Sequence, residues 1–209
     1  PRALDLRAAR PRRTPSRILT RLAAAAAALA FLATPALAAD TYKIDTSHVH
    51  VGFEVDHLGF STTYGRFNDV SGTIVFDEEN PEASSVEVKI DPASVDTGHA
   101  ERDEHVRGKD LLNTAEYPEM SFTSTSIERT GEETGKITGD LTLHGVTKPV
   151  TLDTTFTRKG TYPMTEEEIV AIGFNATTTI KRSGFGMDQW LEMIGDELPI
   201  TISFEAHKQ

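Results

Sequence analysis

The chain has 209 residues, with 32 acidic against 21 basic residues, and contains no cysteine. The acidic excess argues against binding to nucleic-acid phosphates or anionic lipid surfaces, and without cysteine no disulfide can hold the fold. A chain of this length without an internal repeat fits one domain with a sizeable core of its own.

The first 38 residues follow the pattern of a cleavable export signal. Seven arginines face a single aspartate there, and the apolar, alanine-rich run over 22–32 is too short to cross a bilayer. Ala36-Leu37-Ala38 then supplies the small residues that signal peptidase requires, whereas an uncleaved anchor helix is the alternative. We predict a signal peptide over 1–38 and a periplasmic mature domain over 39–209, without an integral membrane span and with a net charge of about −17.

The mature part alternates between apolar and polar residues with a period of two, as strands with one buried face do. Val51, Phe53 and Val55, for example, alternate with Gly52 and Glu54. The pattern predicts eight strands, around 48–56, 66–76, 85–95, 120–128, 136–144, 149–158, 169–182 and 199–206.

One segment breaks this period. Residues 97–108 predict a short helix, with Thr97 as its N-cap and Gly108 as its stop. We therefore expect an all-β, antiparallel fold of about eight strands with one short helix, packed as a sandwich or closed as a barrel. The polar strand face carries charges such as Glu54 and Lys89, which the lipid-facing band of an outer-membrane barrel excludes, so the apolar face lies inside.

The histidines are the first candidates for catalysis or metal binding. His48 and His50 share one strand face and could chelate one ion, but His57 falls on the opposite face. His99 and His105 are six residues apart, which is not one helical face. A zinc site needs three or four converging ligands, so histidines that make ordinary hydrogen bonds are the preferred interpretation.

Motifs of known catalytic chemistry are also missing from the sequence. It contains no nucleophile elbow, phosphate loop or dinucleotide fingerprint, and carboxylate pairs are expected by chance in so acidic a chain. We predict that the protein is not an enzyme and has no catalytic residue, no metal and no cofactor.

The segment over 184–195 joins the last two predicted strands and holds the only tryptophan, Trp190, with two of the four methionines. Two compatible interpretations stay open. The segment is extra core tucked over one end of the barrel, or it is an apolar portal for a ligand, with Trp190 at the entrance.

Motifs in a fixed order along the mature chain resemble the YceI-like family. They include Tyr42-Lys43-Ile44-Asp45-x-x-His48, Val51-x-Phe53-x-Val55-x-His57, Gly65-x-Phe67, Arg102-Asp103-x-His105-Val106, Tyr117-Pro118, the run over 139–150, Gly173-Phe174-x-Ala176 and Arg182-Ser183-Gly184-Phe185-Gly186. Each motif is weak alone, but the ordered set covers nearly the whole mature chain. Two features depart from the family pattern: Gly184 stands where an acidic residue is usual, and the acidic loop over 162–168 has no counterpart.

The resemblance implies a lipocalin-like antiparallel barrel that holds a polyisoprenoid or another long amphiphilic lipid in an elongated apolar interior. The candidate ligand-binding residues on the inward face are Val51, Phe53, Val55, Phe67, Ile74, Val88, Phe122, Phe174, Ile202 and Phe204, with Trp190 at the portal. Arg182 could meet a polar head group of the ligand, or form an ion pair at the strand end.

We predict from this an exported binding or carrier protein whose partner is a long-chain isoprenoid or similar amphiphilic lipid. The oligomeric state stays open, a homodimer included. Two other classes compete: a metal-dependent barrel enzyme that uses His48 and His50, and a structural or stress protein with a filled core. Bound metal would favour the enzyme, and a core without a cavity would favour the structural protein.

Overall fold

The computed structural model describes residues 39–163, 166 and 168–209, and the predicted signal peptide lies outside these residues. The α-helix of this part is α1 (Ala100–Arg107). The strands are β1 (Asp40–His57), β2 (Ser61–Phe67), β3 (Val70–Phe76), β4 (Ser85–Ile90), β5 (Val95–Asp96), β6 (Met120–Arg129), β7 (Thr134–Leu143), β8 (Val146–Thr161), β9 (Val170–Lys181) and β10 (Glu197–Lys208). Over the described residues, no helix combines the length and the apolar character needed to cross a membrane.

The long strand β1 closes the sheet into a barrel because it pairs on both of its edges. Its first residues pair with β3, whereas Tyr42 lies opposite Lys208 and Phe53 opposite Ile200 in the ladder with β10. The closed cycle runs β1, β10, β9, β8, β7, β6, β4, β3, with every neighbouring pair antiparallel. The short strands β2 and β5 extend the sheet beside the second half of β1. The predicted all-β, antiparallel, eight-stranded barrel with one short helix is confirmed.

Two segments that were predicted as single strands are interrupted. The segment 66–76 breaks at Asn68 and Asp69, whose backbone N–H groups donate to Ser94 Oγ at 3.1 and 3.0 Å instead of joining a ladder. The segment 85–95 breaks before Pro92, which has no N–H to donate, and a 3-10 turn follows over Pro92–Ser94. Asn-Asp and Asp-Pro are both turn-forming pairs that the period-two pattern alone does not register.

The helix α1 begins later than predicted. Its N-cap is His99, whose Nδ1 accepts a hydrogen bond from the backbone N–H of Arg102 at 3.4 Å. Thr97 instead donates its N–H and its hydroxyl to Asp103 Oδ1, at 2.7 and 2.6 Å, and so satisfies a buried carboxylate of the helix. Gly108 ends the helix as predicted.

The two ends of the barrel differ in their connections. One end, which we call the closed end, carries the β1–β2 turn, the segment 91–119 with α1, the β7–β8 turn and the segment 182–196. The other end, which we call the open end, carries the β3–β4 and β6–β7 connections. Seven buried side chains form a core cluster at the closed end: Val95, Leu112, Met120, Leu143, Ile180, Phe185 and Met187.

Candidate functional site

The barrel interior holds an apolar cavity of about 350 Å³. Antiparallel register places residues that lie directly opposite each other on the same face of the sheet. Val51 opposite Ile202 and Val88 opposite Phe122 therefore face the cavity together. Eight of the candidates proposed from the sequence line it: Val51, Phe67, Ile74, Val88, Phe122, Phe174, Ile202 and Phe204.

Four phenylalanines meet across the barrel interior, because Phe76 on β3 contacts Phe156 on the opposite strand β8. The Phe156 ring centroid lies 5.8 Å from that of Phe76 and 5.2 Å from that of Phe174, and Phe174 lies 5.7 Å from Phe204. Sequence reasoning missed Phe76 and Phe156. Both could have been found by alternation. Phe76 continues the alternation of Ile74, and Phe156 continues that of Leu152 and Thr154 before the bulge in β8.

Acidic side chains at the open end complete the lining. Glu78 lies between β3 and β4, and Glu128, Glu132 and Glu133 lie at the β6–β7 connection. We call these four residues the acidic rim. Because the same side chains line the cavity and are exposed, the cavity reaches solvent at this end.

Two of the cations beside the acidic rim, Arg129 and Lys159, are already engaged. Arg129 donates from Nε to the backbone oxygen of Gly131 at 2.8 Å and from Nη2 to that of Glu132 at 3.0 Å. Lys159 Nζ lies 2.6 Å from Glu78 Oε2, and this hydrogen bond is the main cause that raises the pKa of Lys159. A molecule that enters the cavity therefore passes a predominantly negative border.

Phe53 and Val55 lie toward the closed end and do not line the cavity. The Phe53 ring packs 5.5 Å from that of Phe67 and covers Gly65, where a side chain would collide with it. Val55 pairs only with Thr63 of β2, because the ladder of β1 with β10 ends at Phe53. The alternation assigned both side chains to the same face as Val51, but they lie where the ladder between β1 and β10 ends, beyond the cavity.

Arg182 fastens the segment 182–196 at the closed end. It is 3% exposed, and it donates from Nε to Gly195 O at 2.9 Å, from Nη1 to Met187 O at 2.7 Å and from Nη2 to Ile194 O at 2.8 Å. Burial lowers the pKa of its guanidinium. Its partners are backbone carbonyls rather than a carboxylate, and its side chain does not line the cavity.

Trp190 does not line the cavity either. Its ring lies 5.2 Å from that of His105 in α1, at the closed end. Phe185 and Met187 of the same segment belong to the buried cluster that fills this end. Phe185 and Met187 are thus extra core, as the first of the two interpretations expects, whereas Leu191 and Met193 of the same segment are 39% and 47% exposed. The cavity meets solvent at the opposite end of the barrel.

His48 and His50 share no partner in the structure. The His50 ring packs against the backbone of Gly52 on the same strand. His48 Nδ1 lies 2.7 Å from Asp45 Oδ2, and this hydrogen bond raises the pKa of His48. Burial raises the pKa of the Asp45 carboxyl. Hydrogen bonds from His48 and Ser47 outweigh this effect and lower the pKa to about 2.

The order of these motifs along the barrel matches one family. The family model described as the YceI-like domain matches residues 42–206. The chain belongs to the YceI-like family. Protein YceI of Escherichia coli O157:H7 is 48% identical over 185 residues, which cover 88% of this chain and 94% of that protein. The resemblance seen in the sequence is confirmed.

Solved structures of the family share the barrel. The Campylobacter jejuni YCEI protein is 33% identical, with a TM-score of 0.66 over 74% of this chain and 90% of that one. A polyisoprenoid binding domain from Saccharophagus degradans superposes with a TM-score of 0.63 over 80% of this chain and 98% of that one. At 19% identity, this second likeness shows a common fold.

Proposed function

We propose that this protein is an exported carrier that buries the chain of a polyisoprenoid or a similar long apolar molecule inside the barrel. The observation that carries the proposal is the apolar cavity of about 350 Å³, which is lined by members of two buried core clusters and reaches solvent at the acidic rim. Small-molecule pockets have volumes of roughly 300–1,000 Å³. The Saccharophagus degradans domain of the same fold, named as polyisoprenoid binding, supports this class of ligand.

Burial of the chain supplies the affinity. Each methylene removed from water contributes about 0.8 kcal/mol, so a dozen buried carbons contribute about 10 kcal/mol before association costs. After those costs, a dissociation constant near micromolar, or about −8 kcal/mol, is within reach. Such a site selects the length and thickness of the chain, so quinones and fatty amides with chains of similar length are also ligands of this class.

The lining orients the ligand with its head group at the acidic rim. Deeper in the barrel the polar side chains of the lining are those of Thr154 and Thr178, which leave a buried charge without a counter-ion. The rim itself repels carboxylates and diphosphates. We therefore assign a neutral head group to the ligand, such as an alcohol, an amide or a quinone.

The same lining favours carriage over catalysis. Among the described residues, the deep part of the cavity presents apolar side chains and two threonine hydroxyls, and this set offers no acid, base or activated nucleophile. The leader over 1–38 supports action in the periplasm. A structural protein with a filled core is disfavoured by the cavity.

Lipid extraction and ligand titration test this proposal. The chain would be expressed with its leader in a Gram-negative host, purified from the periplasmic fraction, and extracted with organic solvent for mass spectrometry. The delipidated protein would then be titrated with farnesol, a neutral isoprenoid alcohol. We expect a co-purified apolar lipid and saturable binding of farnesol near micromolar.

Substitutions at neighbouring positions of β9 supply the matched comparison. Ala176 lines the cavity, whereas Thr177 is exposed on the outer face. Ala176→Phe fills the cavity and should weaken farnesol binding by about tenfold or more, and Thr177→Phe should bind as the parent does. Val88→Phe from the opposite wall repeats the test if Ala176→Phe is poorly folded. A parent that yields no lipid and binds no farnesol, or equal losses at both β9 positions, would contradict the proposal.

A further inference from the structure

A cluster of potential metal ligands lies on the outer face of the barrel, where β1 meets β10. Ile44 pairs with Ala206 and Val49 pairs with Phe204, so the four residues between Ile44 and Val49 oppose the single residue Glu205. This bulge loops the β1 backbone outward. It carries Asp45 and His48 to the side of Glu205 and His207, on the outer face, and none of these four residues lines the cavity.

The donor atoms of the cluster are close enough to share one ion. Ligand atoms of Asp45, His48 and Glu205 all lie within 4.8 Å of one another. Asp45 Oδ2 is 2.7 Å from His48 Nδ1 and 3.9 Å from His207 Nε2. The ring of Tyr162 lies beside both imidazoles, with centroids 6.5 Å from His48 and 5.1 Å from His207, and helps to cover the cluster.

Two of these donor atoms are shielded from solvent without a partner. Glu205 Oε2 and His207 Nε2 are buried and have no hydrogen-bond partner among the described residues. An ion pair between Asp45 and His48 accounts for those two side chains, but it leaves Glu205 Oε2 and His207 Nε2 without a hydrogen-bond partner. A cation between the four side chains satisfies all of them and separates the two carboxylates.

We propose that Asp45, His48, Glu205 and His207 form a binding site for one divalent transition-metal ion of the zinc type. Two imidazoles with two carboxylates suit borderline cations such as Zn²⁺ and disfavour Ca²⁺ and Mg²⁺, which prefer an all-oxygen shell. Ligands at zinc distances stand about 3.3–3.5 Å apart around a tetrahedral ion, so side-chain adjustments at the bulge complete the shell. Four protein ligands make the site structural, and the ion fastens the bulge of β1 to β10, where the ladder between them is interrupted.

This site differs from the one expected from the pair His48 and His50. The second histidine is His207, which shares Asp45 with His48 although it is 159 positions away in the chain. His50 lies outside the cluster but on the same strand and also exposed, which makes it the matched control. The proposal is independent of the ligand of the cavity.

Calorimetric titration of the untagged protein with Zn²⁺, after removal of metals with a chelator, tests the site. We expect one ion per chain, binding weakened at least about tenfold by Glu205→Gln and by His207→Gln, and binding unchanged in His50→Gln. Zn²⁺ should also raise the melting temperature of the parent and of His50→Gln but not that of the other two variants. If one variant loses the circular dichroism of the parent, the other carries the comparison.

Nuclear magnetic resonance of the imidazole nitrogens gives a second readout. One equivalent of Zn²⁺ should shift the ring nitrogens of His48 and His207 and leave those of His50 in place. The proposal is overturned by a parent that shows no saturable Zn²⁺ binding, by Glu205→Gln and His207→Gln binding as tightly as the parent, or by an equal loss in His50→Gln. The lipid content of all variants should equal that of the parent, which separates this outcome from the carrier function.

Discussion

The two ends of the barrel use the same alternating strands but finish in opposite ways. At the closed end, Phe185 and Met187 turn back from the segment 182–196 and are only 3% and 5% exposed. At the open end, the glutamates of the acidic rim line the cavity and stay in contact with solvent. The cavity is therefore closed by core at one end and reaches solvent beside acidic side chains at the other, where a second core cluster also lies.

The connections between strands cause this difference. The closed end has two long connections, 91–119 and 182–196, which contribute Leu112, Phe185 and Met187 to the core. The β6–β7 connection at the open end is the four residues 130–133, Thr-Gly-Glu-Glu, which include no apolar side chain that could plug the barrel. The cavity therefore opens beside this connection, although a second core cluster of Tyr42, Ile44, Ile74, Ile172 and Ala206 also lies toward this end.

The largest expected effect comes from breaking the closed end at Arg182. Arg182→Ala removes three charge-assisted hydrogen bonds and leaves the oxygens of Met187, Ile194 and Gly195 without their donor. We expect a loss of about 3 kcal/mol in the free energy of unfolding, measured by denaturant titration.

Lys181 is the control for this substitution because it neighbours Arg182 in sequence but is exposed. Its Nζ lies 3.6 Å from Glu197 Oε1, an ion pair on the surface. Lys181→Ala should therefore cost about 0.5 kcal/mol or less. If Arg182→Ala is as mild as Lys181→Ala, the segment 182–196 is held by its apolar residues alone. A loss of lipid without a loss of stability would instead place Arg182 at the ligand.

Charge reversal at the open end should have an intermediate effect, on ligand selection rather than on stability. The parent should bind farnesol more tightly than farnesyl diphosphate, which has the same chain. Replacing Glu132 and Glu133 together by Lys should raise the affinity for the diphosphate by about three- to tenfold at low salt and less at high salt, with farnesol unchanged. Paired titrations at two salt concentrations measure this.

The matched control makes the same change in net charge at the other end of the barrel. Glu101 and Glu104 are exposed on α1 at the closed end. With 0.1 M salt as the lower of the two salt concentrations, their joint replacement by Lys should leave diphosphate affinity nearly unchanged, because charges more than about 10 Å apart are screened there. Equal gains from both pairs would mean that overall charge, and not the acidic rim, selects the head group.

The smallest effect is expected where the chain departs from the family pattern. A side-chain carbon built at Gly184 would stand 3.4 Å from Lys148 Nζ. Gly184→Asp should therefore form an exposed ion pair with Lys148 and stabilise the closed end by about 0.5 kcal/mol, whereas Gly184→Asn should gain less. Denaturant titration with and without 0.5 M salt separates the two, and a gain that persists in salt would exclude the ion pair.

Much of the barrel could be predicted directly from the sequence. The period of two along β1, β4 and β10 predicted strands and assigned their inward faces correctly, because alternation is a local property of an extended backbone. Eight of the twelve candidate side chains consequently line the cavity. The breaks at Asn68-Asp69 and at Pro92 were missed because turn chemistry, not hydrophobic period, sets them.

The sequence by itself determined the class of fold, the apolar inward face and the family. Only the tertiary structure decided where the cavity reaches solvent, which three carbonyls Arg182 binds, and that Asp45 lies close to both His48 and His207. The physical reason is range. Alternation acts between neighbouring residues. Strand register, in contrast, sets the level of a side chain in the barrel, and together with the bulge between Ile44 and Val49 it brings distant side chains together.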